Sequence, residues 1–184
     1  MDTIIEQFWG AGLIQFGRFE DVPFKIQLEL LPSYPDIWSG LLDRFIPRAH
    51  LTRYERLLAP SDSVPFGTML SYMVNIPLVY SKGTHRDGVH DLLGAYDVGH
   101  PALLVANTWQ PSHEALIHKA QKVGLEIDTA WVLMTYGKPQ APHLNIQSLF
   151  HLEDVLKHLH ETKKLPTGQV DAVLAWITTH PLTD

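Results

Sequence analysis

Residues 102–137 read Ala-Leu-Leu-Val-Ala-Asn-Thr-Trp-Gln-Pro-Ser-His-Glu-Ala-Leu-Ile-His-Lys-Ala-Gln-Lys-Val-Gly-Leu-Glu-Ile-Asp-Thr-Ala-Trp-Val-Leu-Met-Thr-Tyr-Gly. The unbroken apolar run at 102–106 predicts a strand covered on both faces, because a one-sided strand would alternate with polar residues. A helix is expected over 111–123, with Pro111 near its first position, Glu114 in its first turn and Gly124 as its stop. Residues 127–135 form a second buried strand. A strand–helix–strand unit of this kind belongs to a parallel sheet.

The same alternation extends upstream. A short strand is expected at 56–59, a helix at 68–73 and a strand at 77–80. Before them, Pro35 opens a helix whose Ile37, Trp38, Leu41, Leu42 and Phe45 fall at core spacing. Pro47 should kink or end it, with a second helical piece at 51–56. At the start, Ile4, Ile5, Phe8 and Trp9 recur at helical spacing, and the helix stops near Gly10–Gly12. Two extended runs, 13–19 and 24–30, flank residues 20–23 like a hairpin. Downstream, Leu152, Val155, Leu156 and Leu159 mark one helix, and Val170, Val173, Leu174 and Ile177 another. The expected fold is α/β, a mostly parallel sheet flanked by helices. No linker, repeat or low-complexity tract divides the chain, so 1–184 is read as one domain.

Composition narrows the function classes. Of 184 residues, 45% are hydrophobic and 18% charged, as in a globular domain. The net charge of -6 provides no basic field for a nucleic acid backbone, so no nucleic acid partner is expected. With no cysteine, thiolate metal sites and cysteine nucleophiles are excluded. No apolar run approaches the roughly 20 residues of a membrane span. The first residues carry Asp2 and Glu6 and do not resemble a secretory leader. A cytoplasmic protein without membrane contact is the expectation.

Several segments together resemble orotate phosphoribosyltransferase, a type I phosphoribosyltransferase. They are Phe16-Gly17-Arg18-Phe19, Asn75 to Tyr80, Ser81-Lys82-Gly83-Thr84-His85-Arg86-Asp87-Gly88, Leu92 to Tyr96, the run at 102–106, Gly124-Leu125-Glu126-Ile127 and Ile146 to Phe150. The resemblance implies the type I phosphoribosyltransferase fold. Residues 1–34 would then form a hairpin hood, and 35–184 the core and C-terminal helices. It also implies chemistry on phosphoribosyl pyrophosphate and magnesium, and a homodimer in which a basic loop reaches the neighbouring site.

The residues depart from that chemistry. Where the family carries paired acids and a small-residue turn for a sugar 5-phosphate, this chain has Asn107-Thr108-Trp109-Gln110-Pro111-Ser112-His113-Glu114. Both acids are gone, Pro111 lacks an N–H, and Glu114 adds negative charge at the helix start. Thr108, Ser112 and His113 remain as donors. In the basic loop, Ser81, Lys82, His85 and Asp87 stand where the family has cations and a catalytic His, so Lys82, His85 and Arg86 are the catalytic candidates. The hairpin turn Glu20-Asp21-Val22-Pro23 is acidic where the family places a Lys against the base. Met134-Thr135-Tyr136-Gly137 replaces a run whose Arg also holds orotate. A pyrophosphate loop is matched by residues 59–67, where Ser61 and Ser63 could line an anion nest. The cofactor-binding candidates are therefore Ser61, Ser63, Asn107, Thr108, Ser112 and His113.

No metal site is read from the eleven histidines: His158 and His160, two residues apart, face different sides of one helix, and His151 lies two turns from His158. Three functions remain. The first is a homologue that has lost transfer and serves as a binding, regulatory or scaffold protein, with a small phosphorylated ligand as one partner. The second is a divergent phosphoribosyltransferase acting on orotate or another base, dependent on magnesium and phosphoribosyl pyrophosphate. The third is a structural subunit.

Overall fold

A computed structural model of the chain describes residues 2–83, 91–139 and 141–182. Helix α1 (Asp2–Gly10) leads into a hairpin of β1 (Ile14–Phe19) and β2 (Val22–Ile26). Helix α2 (Pro35–Arg48) precedes β3 (Arg56–Ala59), α3 (Val64–Val74), β4 (Leu78–Ser81), the two-residue β5 (Leu92–Leu93) and β6 (His100–Thr108). Then follow α4 (His113–Lys122), β7 (Leu125–Thr135), β8 (Asn145–His151), α5 (Leu152–Glu161) and α6 (Thr167–Thr179). The main sheet has the order β5-β4-β3-β6-β7-β8. It is parallel throughout except for β5, which runs antiparallel to β4. The hairpin forms its own two-stranded sheet.

Alternation along β6 distributes its side chains between two cores. Leu103 and Val105 join the layer built with α1, α2, α3 and α5, through residues such as Phe8, Leu41, Phe45, Phe66 and Leu156. Ala102, Leu104 and Ala106 face α4, through Leu116, Ile117 and Ala120. Helices therefore cover both faces, which is why the strand carries no polar alternation. Gly67 lets α3 approach the sheet. A Cβ there would lie 2.9 Å from both Ala59 Cβ and Leu78 Cδ1.

Several boundaries differ from the sequence expectations. The hairpin turn is Glu20-Asp21, with Glu20 left-handed at φ 54°, so β2 begins at Val22 and takes in Pro23. Residues 28–30, read as strand, lie in a 3-10 turn at Leu28–Ser33 that buries Leu28 and Leu31. At Pro47 the expectation holds, since α2 ends one residue later, at Arg48. Of the piece at 51–56, only Leu51–Arg53 is helical, as one 3-10 turn. Helix α3 starts earlier, using Pro65 in its first turn. Pro111 precedes α4 instead of opening it; Ser112 is the N-cap. β8 is a strand that the residue pattern does not predict. Its exposed Asn145 and Gln147 and half-buried Ile146 and Ser148 hide the period of an edge strand.

Candidate functional site

After β3 the chain turns to β4 on one side, and then returns to place β6 on the other. The carboxyl ends of β3 and β6 thus diverge at the point where strand order reverses, the usual place for a ligand crevice in a parallel α/β sheet. A cleft of about 400 Å³ opens there. One wall comes from Ser61, Asp62, Ser81 and Gly83 after β3 and β4, the other from Ser112, His113 and Lys119 at the start of α4.

The floor of the cleft is a connected polar group. The Ser81 hydroxyl donates to Asp91 Oδ2 at 2.5 Å, and the Gly83 N–H donates to Ser81 Oγ at 3.0 Å. The Lys82 N–H donates to the Asp91 carbonyl at 2.9 Å. Lys119 Nζ stands 3.7 Å from the Asp91 carboxylate, which is itself buried. Gly83 is left-handed at φ 71°, and a Cβ there would sit 2.7 Å from Ser61 Oγ, so the loops after β3 and β4 touch. Asp62 and Asp91 bring two carboxylates to the lining, and Lys119 one ammonium. The cleft is open, but its described lining does not present a cationic face.

The loop after β6 spends its donors internally. The Asn107 N–H donates to Ser63 Oγ at 2.9 Å and Asn107 Nδ2 to the Asp62 carbonyl at 3.0 Å. The Gln110 N–H meets His113 Nδ1 at 3.4 Å. The N–H groups of His113 and Glu114 donate to the Gln110 and Pro111 carbonyls, each at 3.0 Å. Main-chain N–H groups at a helix start are what would hold a phosphate, and those of Asn107, Gln110, His113 and Glu114 are already bonded within the protein. Trp109 turns away from the cleft into the core beside α4, only 2% exposed. Its ring meets His113 edge-on, with centroids 5.5 Å apart. Among the described residues neither the buried indole N–H nor Asn107 Oδ1 has a partner.

Burial lowers the affinity of His113 for a proton, and the nearby Asp62 carboxylate offsets only part of that. The folded-state pKa lies below the ordinary histidine value of about 6.5, so the unfolded chain binds the extra proton more readily. The stability contribution is complete above about pH 6.5 and is lost as pH falls toward the folded-state value. His113→Gln is expected to flatten this part of the profile. Urea midpoints for both proteins at about pH 7.5 and 5.5 would reveal it; a wild-type midpoint that falls no more than the variant's refutes the assignment.

The hairpin does not reach this cleft. Phe24 on β2 packs edge-on against Tyr136 after β7 and Trp176 on α6, both at 5.3 Å. Tyr136 and Trp176 close the triangle at 5.9 Å. Burial raises the Tyr136 pKa, keeping the phenol neutral. The aromatic cluster fills the space between the hairpin and the end of β7. A separate hollow of about 560 Å³ lies on the outer side, between the hairpin tip and Gly168, Ala172 and Trp176 of α6.

Of the residues singled out by sequence, Ser61, Ser112 and His113 line the cleft. Ser63 and Asn107 lie buried beneath it, bonded to each other, and Thr108 ends β6 in register with Met134. Lys82 is exposed beside Gly83, while His85 and Arg86 fall outside the described residues. Asp91, Ser81 and Lys119 escaped sequence reading as a group. Only the β4–β5 turn and the packing of α4 bring them together, and no local spacing encodes that.

Sheet order, hairpin, switch-point cleft and flanking helices together make this a type I phosphoribosyltransferase fold of the orotate phosphoribosyltransferase kind. No family model matches the sequence. The chain is similar in structure to Leishmania donovani UMP synthase, with TM-score 0.79 and 18% identity over 96% of this chain and 42% of that one. It thus spans about two-fifths of the Leishmania chain. It is also similar to the Aeropyrum pernix orotate phosphoribosyltransferase, with TM-score 0.70 and 18% identity over 86% of this chain and 99% of that one. The Thermoanaerobacter pseudethanolicus adenine phosphoribosyltransferase matches at TM-score 0.61 and 15% identity, over 80% and 99% of the two chains.

Proposed function

We propose that this protein has given up phosphoribosyl transfer and uses the phosphoribosyltransferase scaffold for binding, as a regulatory or scaffold homologue. One observation carries the reading: four N–H groups of the 107–114 loop are bonded within the protein and Trp109 is buried, so the place for a sugar 5-phosphate offers few donors. The mixed charge of the cleft and the aromatic closure of the hairpin support it. Calorimetric titration of the full chain with phosphoribosyl pyrophosphate and magnesium is expected to give no saturable heat up to about millimolar ligand. Micromolar binding would overturn the proposal.

The retained cleft, with Lys119, Ser61 and Ser112 in its walls, favours a second reading as a divergent phosphoribosyltransferase. In that case Lys82, His85 and Arg86 carry the catalytic charge, and magnesium enters with phosphoribosyl pyrophosphate. That reading requires the heat which the first forbids.

We read the chain as a homodimer and as one domain over 1–184. The exposed Met69, Tyr72 and Met73 on α3 form an apolar face suited to a second copy. Sedimentation at micromolar concentration is expected to give twice the chain mass, and Tyr72→Glu to shift it toward one chain. A monomeric wild type refutes this. None of the described helices is long and apolar enough to cross a membrane; a cytoplasmic location is the accompanying proposal.

A further inference from the structure

A second polar hollow lies at the opposite end of the sheet, where α2 ends and β8 begins. It holds about 250 Å³, and its lining includes Arg48, His50, Arg53, Thr129, Asn145 and Gln147 over the half-buried ring of Trp131. Among the described residues no carboxylate lines it, although Asp128 beside it pairs with Arg53. In a chain with 14 Lys and Arg against 20 Asp and Glu, two arginines and a histidine converge on one hollow.

Its groups are held in place. Arg53 Nη2 donates to Thr129 Oγ1 at 2.7 Å and to Asp128 Oδ1 at 3.1 Å, and the guanidinium lies 4.6 Å from the centre of the Tyr54 ring. Both bonds use one nitrogen, so the rest of the planar fork is left to a ligand. Thr129 and Trp131 pair in register with Asn145 and Gln147, which sets both amide side chains on the same face of the sheet. The Gln147 amide donates to Asn145 Oδ1 at 2.7 Å, which orients the pair. His50 adopts a left-handed backbone, φ 46° and ψ 50°, at a place where glycine would be unstrained. The α2 dipole accounts for a cation at Arg48, in the last helical turn, but not for His50 or Arg53 beyond it.

We propose that this hollow binds a small phosphate-type dianion, either free phosphate or the head of a phosphomonoester. Three basic side chains against the single carboxylate of Asp128, which holds one Arg53 nitrogen, together with a preset guanidinium fork and amide donors, match a tetrahedral oxyanion, and the volume suits a small molecule and not a polymer. The site is distinct from the switch-point cleft and independent of whether transfer is lost.

The test is titration of the full-length protein with inorganic phosphate and, separately, phenyl phosphate, followed by amide NMR shifts at low ionic strength. Wild type is expected to saturate at millimolar concentration or below, with shifts centred on residues 48–53 and 145–147. The double variant Arg48→Gln/His50→Gln changes two exposed side chains, and is expected to bind at least about tenfold more weakly with an unchanged spectrum elsewhere. Lys119→Gln, in the cleft, is expected to bind as wild type. Tighter binding of phenyl phosphate than of phosphate would identify the ligand as a phosphomonoester with an apolar body over Trp131; equal binding would identify phosphate itself. The proposal is overturned if wild type fails to saturate at roughly 10 mM, if the double variant binds undiminished, or if Lys119→Gln alone abolishes binding.

Discussion

Given orotate, phosphoribosyl pyrophosphate and magnesium, the protein is expected to form product at least about ten-thousandfold more slowly than the Aeropyrum pernix orotate phosphoribosyltransferase assayed beside it. The size of this effect follows from the loop after β6. A phosphate at the start of α4 would draw on the N–H groups of residues 107–114, and those of Asn107, Gln110, His113 and Glu114 are already engaged. A hydrogen bond to a charged group is worth about 1.5–3 kcal/mol, so four at the low end amount to about 6 kcal/mol, and each 1.36 kcal/mol is tenfold in rate. Missing cations add to the loss: Ser81 and the Met134-Thr135-Tyr136-Gly137 run stand where the resemblance implies arginine. An ordinary initial rate, measured by orotate absorbance, would show that another arrangement supplies the same stabilisation.

Trp109→Ala is expected to destabilise the fold by about 3–5 kcal/mol, the range for deleting a buried large aromatic. That is a large share of a typical domain's 5–15 kcal/mol. The indole belongs to the buried cluster that Leu116, Ile117 and Ala120 of α4 form with the sheet, so its removal leaves a void in that layer. Trp109→Phe should lose much less. It sacrifices volume, but removes an indole N–H that is buried without a partner, a burden of about 1–3 kcal/mol. Urea unfolding followed by far-ultraviolet circular dichroism measures both. An alanine variant within about 1 kcal/mol of wild type would mean that the ring contributes little to the core.

The fold was legible where burial dictates residue type. The run at 102–106 and the 130–134 part of β7 are apolar because α4 covers one face and α2 with α3 the other, so both strands are legible in the sequence. The edges of the sheet were not. β8 carries Asn145 and Gln147, and β5 is only two residues long; neither gives a periodic signal. Pro111 suggested a helix start, yet it sits in the turn before Ser112 because Gln110 and Pro111 accept the first N–H bonds of α4. The candidate site was legible as a place and not as an arrangement. Sequence located the loops at 61–63 and 107–113, but Ser63 and Asn107 turned out to bond each other, and the buried Asp91 with Lys119 became visible only once β4 and α4 were side by side.

The docking of the hairpin bears on how the chain is made. A lone two-stranded ribbon is barely stable in water, and β1–β2 lies apart from the main sheet. Its inward ring, Phe24, rests on Tyr136 and Trp176, which lie more than a hundred residues downstream. At about 5–20 residues per second, a ribosome needs roughly 8–30 s to travel from Phe24 to Trp176. During that time the hairpin can rest on α1, where Trp9 stacks on Phe16 at 5.8 Å, but its Phe24 side lacks both partner rings and stays open to chaperones until α6 has been made.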